Sequence, residues 1–151
     1  MAKLKPYKGP VLMTVENIHD NGQWNFPEQM GGAEFEGFIY VMKHLPTGAM
    51  YLGKKSYRGR TGVTSAWKSY TSSSEKVLKW MEKTSHSEWE FTCVEQYKTK
   101  SGLNYAETWS LCFLDIPYKQ CWLNKRIEEI SWGCKEHRTA SHIERLAKFN
   151  T

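Results

Sequence analysis

The sequence predicts an α/β fold, a small central antiparallel β-sheet flanked by helices. Three observations carry this. The runs Phe38-Ile39-Tyr40-Val41 and Ala49-Met50-Tyr51-Leu52 are apolar and aromatic, and Leu45-Pro46-Thr47-Gly48 lies between them. Pro fixes φ in such a turn and Gly takes φ > 0 freely, so the two runs read as a β-hairpin. Trp89, Phe91 and Cys93 alternate with Glu90 and Thr92, the period of a strand with one buried face. Val77, Leu78, Trp80 and Met81 recur at helical spacing, as do Leu103, Glu107, Leu111 and Leu114.

A chain of 151 residues is the size of one domain with a real core. A hydrophobic fraction of 40% and a charged fraction of 25% are ordinary for a soluble globular protein. No apolar run reaches the length of a membrane span, and the N-terminus has no signal core. The expectation is a cytoplasmic protein with no membrane partner. The net charge of +5 favours an anionic partner, most simply nucleic acid. Aromatic residues make up 14% of the chain, and they serve either a core or base stacking. Cys93, Cys112, Cys121 and Cys134 form no C-x-x-C pair, so reduced thiols are expected.

In chain order, residues 1–34 form an N-terminal extension with Lys3, Lys5 and Lys8 and the breakers Asp20-Asn21-Gly22 and Gly31-Gly32. Alternation at Val11, Met13 and Val15 permits one short strand. The extension is either an arm without a role or a cover packed on the domain or its DNA-facing side. Gly53-Lys54-Lys55-Ser56-Tyr57-Arg58-Gly59-Arg60 follows the hairpin, a basic loop suited to phosphate. Ser72 and Glu75 have capping-box spacing, which predicts a helix from about Ser73 to Lys83. Ser101 is placed to cap the next helix, which ends near Leu114, before Pro117. In the tail, residues 131–151, Ser141 and Glu144 repeat the box spacing ahead of Ile143, Leu146 and Ala147, a short helix. His19, His44 and His86 stand alone and read as surface or turn residues.

The hairpin resembles the core of the GIY-YIG nuclease family. Phe38-Ile39-Tyr40 stands where that family has its first triplet, with the glycine one place upstream at Gly37. Tyr51-Leu52-Gly53 stands at the second triplet, and the two tyrosines are 11 positions apart. Later features fall in the family's order: Trp67-Lys68-Ser69-Tyr70 with Ser72-Ser73-Ser74, Trp89-Glu90-Phe91, Tyr105-Ala106-Glu107, and Leu123-Asn124. The arrangement is most similar to small phage-type, homing-endonuclease-like members, and it defines a nuclease-like domain over residues 35–130.

The resemblance implies a metal-dependent DNA endonuclease using one magnesium ion and no small-molecule cofactor. It implies Tyr40 as base or water-positioning group. A phenol of pKa ~10 is a poor base at neutral pH, so a nearby cation is needed. Lys54 matches the family lysine, with Lys55 as its rival. Glu107 matches the metal-binding glutamate, and magnesium suits a single carboxylate completed by waters and phosphate oxygens. Tyr51 belongs to the site, Arg60 stands nearest the family arginine with Arg58 second, Tyr70 matches the later tyrosine or histidine, and Asn124 the terminal asparagine. Lys54, Lys55, Arg58, Arg60 and Lys68 are the expected DNA contacts.

Each residue has a plainer alternative. Tyr40 and Tyr51 serve equally as hairpin core aromatics, and the cations as a solvated loop. Glu107, a carboxylate in an apolar stripe, must find a cation, a metal or hydrogen-bond donors. Asn124 could close a turn. Cys121, Cys134, His137 and His142 offer two thiols and two imidazoles for a structural zinc, at a spacing that matches no common zinc pattern. A second class of function is a nucleic-acid-binding or inhibitory module on the same fold.

Overall fold

A computed structural model describes residues 19–124, 136 and 139–150. Three strands, β1 (Gly37–His44), β2 (Met50–Ser56) and β3 (Trp89–Tyr97), form an antiparallel sheet in the order β2-β1-β3. Three helices flank it: α1 (Glu75–Lys83), α2 (Lys100–Phe113) and α3 (Ala140–Ala147). The expected α/β architecture is therefore the one observed. The hairpin turn uses Gly48 at φ 76°. Pairing across it puts Tyr40 opposite Gly53 and Met42 opposite Tyr51. Against β3 the register slips between Ile39 and Tyr40, because Val94 is an extra residue between the partners Glu95 and Cys93. Such a bulge re-aims side chains beside it, and it sits next to Tyr40.

Alternation along β1 divides the core in two. Ile39 and Val41 face α2, where they meet Leu52, Leu103, Ala106 and Leu111, with Leu146 of α3 behind. Phe38, Tyr40 and Met42 face the other way, into Trp24, Met30, Tyr57, Trp67, Val77 and Met81. This second face is walled by irregular chain. Asn25 makes one parallel bridge to Thr92 of β3, and the Trp24 indole N–H donates to the Trp67 carbonyl at 2.7 Å. The Gln96 side-chain oxygen accepts from the Gly31 amide at 2.9 Å and the Tyr57 hydroxyl at 2.6 Å. The alternating segment at Val11 to Val15 lies outside the described residues.

The helix caps differ from expectation. Thr99, not Ser101, caps α2, accepting from the Gly102 amide at 3.0 Å. Thr139, not Ser141, caps α3 through the His142 amide. Ser74 is the N-cap of α1 and makes no side-chain cap bond, while Ser72 accepts from the Ser74 amide at 2.9 Å. A reciprocal capping box does form at Ser85 and Glu88, ahead of β3. In each helix the N-cap stands two residues from the candidate that local spacing favours.

Two histidines read as surface residues are buried. His44 lies between Trp80 and Trp89, with Nδ1 at 2.7 Å from the Thr47 hydroxyl. His86 stacks on Phe91 with 4.8 Å between rings and meets the Gln23 side chain at 2.9 Å. Neither imidazole is unusual in sequence; each is buried by partners distant along the chain. Cys134 and His137 of the considered zinc set lie outside the described residues. His142 is fully buried, with Nδ1 at 2.8 Å from the Tyr97 hydroxyl and Nε2 at 2.8 Å from Ser110 Oγ. Both of its ring nitrogens are thus engaged, and no lone pair is left for zinc.

Candidate active site

The candidate site forms around Tyr40 and the β2 residues from Tyr51 to Lys55. β2 is an edge strand, and residues 121–124 cover its first half. The Met50 amide donates to the Cys121 carbonyl and the Leu123 amide to the Met50 carbonyl, both at 2.7 Å. Asn124 completes this cover. Its Oδ1 accepts from the Leu52 amide at 2.9 Å, and its Nδ2 donates to the Leu52 carbonyl at 2.7 Å. Both ends of the amide are therefore spent on the backbone that carries Tyr51 and Gly53.

Tyr40 lies inside the edge and is 1% exposed. The rings of Tyr51 and Tyr70 are each 6.3 Å from its own, and Trp24 backs it at 5.0 Å. A Cβ built on Gly53 would come within 2.5 Å of the Tyr40 hydroxyl, so only glycine lets that phenol reach the edge. Burial is the main reason the Tyr40 phenol is held well above its ordinary pKa. The phenols of Tyr51 and Tyr70 and the Glu107 carboxylate add to this, while a hydrogen bond from Ser72 opposes it. At neutral pH the group is a neutral phenol.

Glu107 approaches from the other face. It rises from α2 in one stripe with Leu103 and Leu111, and its side chain is 12% exposed. The Lys54 ammonium lies 3.5 Å from its carboxylate and donates to Asn104 Oδ1 at 2.6 Å. Asn104 sits one turn before Glu107, at i−3, so the two share a side of α2. Lys54 pairs across the hairpin with Ile39 and Lys55 with Phe38. The lysines thus leave β2 on opposite faces. Lys54 serves the carboxylate, and the cation on the phenol side is Lys55, with Nζ 4.1 Å above the Tyr70 ring.

The remaining expected residues lie farther along the loop. Arg58 donates to the carbonyls of Gly32 at 3.1 Å and Phe35 at 2.7 Å, which ties residues 32–35 to the end of β2. Arg60 is exposed in the turn closed by the Arg58–Thr64 bridge, and it makes no hydrogen bond, ion pair or ring contact among the described residues. The arginine expected beside the tyrosines is therefore not brought to them by either residue. Lys68 is exposed, 2.5 Å from Asp20. Two further residues, Ser72 and Asn104, join the site without having been expected there. The i−3 spacing to Glu107 was a usable signal for Asn104; Ser72 reaches Tyr40 only through the fold.

The donor set is compatible with one magnesium ion. Glu107 is a single, largely buried carboxylate on α2 beside Lys54, and no group of three or more His, Cys, Asp or Glu side chains forms a metal site among the described residues. Magnesium accepts one protein carboxylate when waters and phosphate oxygens complete its shell.

A family model described as "Putative endonuclease segE, GIY-YIG domain" matches residues 23–127. That span starts beside Trp24, so it takes in the irregular wall behind Tyr40. Comparison with curated proteins and with solved structures gives no match.

Proposed function

The chain belongs to the GIY-YIG endonuclease domain family of the SegE type, and on that premise we propose that it is a magnesium-dependent DNA endonuclease working at the outer edge of β2. The observation that supports this most directly is the convergence on the Tyr40 phenol of Tyr51 and Tyr70, ring to ring, and of the Glu107 carboxylate, which acts on it electrostatically, with Gly53 making room for its hydroxyl. Hydrolysis forms a bond from a water oxygen to phosphorus and breaks the bond to one ester oxygen. The chain must orient the water and offset charge on the phosphate.

Tyr40 is a neutral phenol, so its part is to orient rather than to deprotonate. Its O–H would donate to a phosphate oxygen or to the water. Tyr51, half-buried beside it, faces the same volume. Glu107 would hold the magnesium ion, which supplies the electrophile for the non-bridging oxygens. Lys54 and Asn104 keep the Glu107 side of α2 against β2. Lys55, Arg60 and Lys68 add phosphate contacts, and Asn124 positions the strand. The likeness to small phage-type members extends the proposal to a phage-encoded, homing-like enzyme acting in the host cell cytoplasm.

One observation favours the alternative of a DNA-binding module without catalysis: an ammonium already stands beside the carboxylate of the site, 3.5 Å from it. Incubation of the purified protein with supercoiled plasmid separates the two. Magnesium-dependent nicking or linearisation, abolished by a chelator, supports the enzyme. Gel retardation with no cleavage across a magnesium titration supports the binding module.

A further inference from the structure

Adjacent residues on a strand point to opposite faces, so the pair Lys54-Lys55 cannot do one job twice. The registers make the division explicit. Lys54, opposite Ile39, runs to α2, where Glu107 and Asn104 receive its ammonium. Lys55, opposite Phe38, runs to the phenol face, where its ammonium rests 4.1 Å above the Tyr70 ring. That ring in turn lies 6.3 Å from the ring of Tyr40. Among the described residues Lys55 meets no carboxylate, whereas Lys54, Lys68 and Arg145 each do. An aromatic face holds a cation in place without neutralising it, and it leaves the outward hemisphere of the ammonium free for an anion.

We infer that Lys55 is a catalytic residue of the proposed nuclease site, its ammonium contacting a non-bridging oxygen of the scissile phosphate from the side of the three tyrosines. The inference rests on the endonuclease reading given above. It divides the two lysines by task, with Lys54 a positioning residue for Glu107 and Lys55 the charge that meets the phosphate. As the water oxygen bonds to phosphorus and the ester bond breaks, with the leaving oxygen taking up a proton from solvent to replace the one the water releases, charge grows on the non-bridging oxygens, and a fixed ammonium there is worth more than in water. No proton passes through Lys55 in this step. Partial burial lowers the pKa of the Lys55 ammonium, so its charge is lost at a lower pH than that of an ordinary lysine.

The test is single-turnover cleavage of supercoiled plasmid under saturating protein, followed over a magnesium titration and from neutral to alkaline pH. The wild-type chain is compared with Lys55→Met, Lys55→Arg and Lys54→Met, each checked for folding by circular dichroism. Lys55→Met keeps the aliphatic stem and is expected to slow the saturated rate by ~10²–10³-fold, the usual effect of losing one transition-state donor, with the magnesium midpoint unchanged. Lys55→Arg is expected to recover part of the rate and to carry the alkaline limb to higher pH. Lys54→Met is expected to move the magnesium midpoint instead. An unchanged saturated rate in Lys55→Met, with only plasmid affinity weakened, would overturn the inference, as would an alkaline limb that stays in place in Lys55→Arg. Absence of cleavage by the wild-type chain itself would count against the endonuclease reading and not against the division between the lysines. That division would then be refuted by Lys55→Met and Lys54→Met having equal effects on plasmid binding at every magnesium concentration.

Discussion

On the helix face of the sheet, regular elements meet regular elements. Ile39, Val41 and Leu52 pack against a stripe of α2, and α3 closes over Val94 and Tyr97. On the phenol face the sheet meets irregular chain: the segment through Trp24 and Met30, and the loop from Tyr57 to Ser74. The first face supplies the carboxylate and the second supplies the tyrosines. Regular packing holds Glu107 where a charge is costly, and irregular chain brings Trp24 and Tyr70 to the phenol of Tyr40. The strand between them is pinned by Asn124 rather than, among the described residues, by a further strand.

The comparison is tested most strongly on the phenol face. Tyr40→Phe removes one oxygen and keeps the ring among Trp24, Tyr51 and Tyr70, so thermal stability should hardly change. Plasmid cleavage should fall by ~10²–10⁴-fold, the range for losing a positioned acid–base or orienting group. A well-folded Tyr40→Phe protein that cleaves at the wild-type rate would remove Tyr40 from the mechanism.

The helix face has its own polar centre in His142, and its effect is on stability. Ser110 Oγ donates to the Ala106 carbonyl at 2.6 Å, so it accepts from His142 Nε2, and Nδ1 then accepts from Tyr97. Burial, helped by Arg145, lowers the His142 pKa to about 4. The unfolded chain, with an ordinary value near 6.5, binds the proton first. Stability supplied by the neutral imidazole is therefore complete above pH ~6.5 and is lost as pH falls toward 4, on the order of 3 kcal/mol in all. His142→Gln should flatten the dependence of urea midpoint on pH in that window relative to wild type. Parallel pH profiles for the two proteins would show that the imidazole is not the group responsible.

A smaller effect is expected at the strap between the faces. Asn124→Ala leaves the Leu52 amide and carbonyl without their side-chain partners, which should cost about 2 kcal/mol in urea unfolding. Cleavage should fall through the loosened edge, with a stability loss accompanying it. Loss of cleavage at unchanged stability would instead mark Asn124 as a direct participant.

The same contrast explains what was legible in the sequence. The hairpin, β3, α1 and α2 follow from short-range periodicity, and the glutamate in the α2 stripe stands out as an anomaly against its apolar neighbours alone. Lys54 and Lys55, read as part of a basic loop, stand instead in β2, which runs to Ser56, and only that strand sets them on opposite faces. What was not legible depends on irregular chain. Trp24 and Met30 follow no period, and the burial of His44 and His86 needs Trp80, Trp89, Phe91 and Gln23 brought to them. The caps at Thr99 and Thr139 likewise rest on tertiary partners, since Glu136 bonds Thr99 and Glu95 bonds Thr139. Arg60 shows why position alone does not place a side chain: it lies exposed in the turn closed by the Arg58–Thr64 bridge and, among the described residues, makes no hydrogen bond or ring contact to the tyrosines.

The central claim is that Glu107 holds its charge for chemistry, as the one carboxylate that the described residues bring beside Lys54 and the tyrosines. It is tested most directly by Glu107→Gln, with plasmid cleavage over a magnesium titration, plasmid binding and thermal unfolding measured on one preparation. The substitution keeps the shape of the side chain and its place in the α2 stripe, and Lys54, one-third exposed, stays solvated without its partner. The account predicts that cleavage disappears at every magnesium concentration, while plasmid binding and the unfolding temperature stay close to wild type. Cleavage retained with the same magnesium midpoint would contradict it.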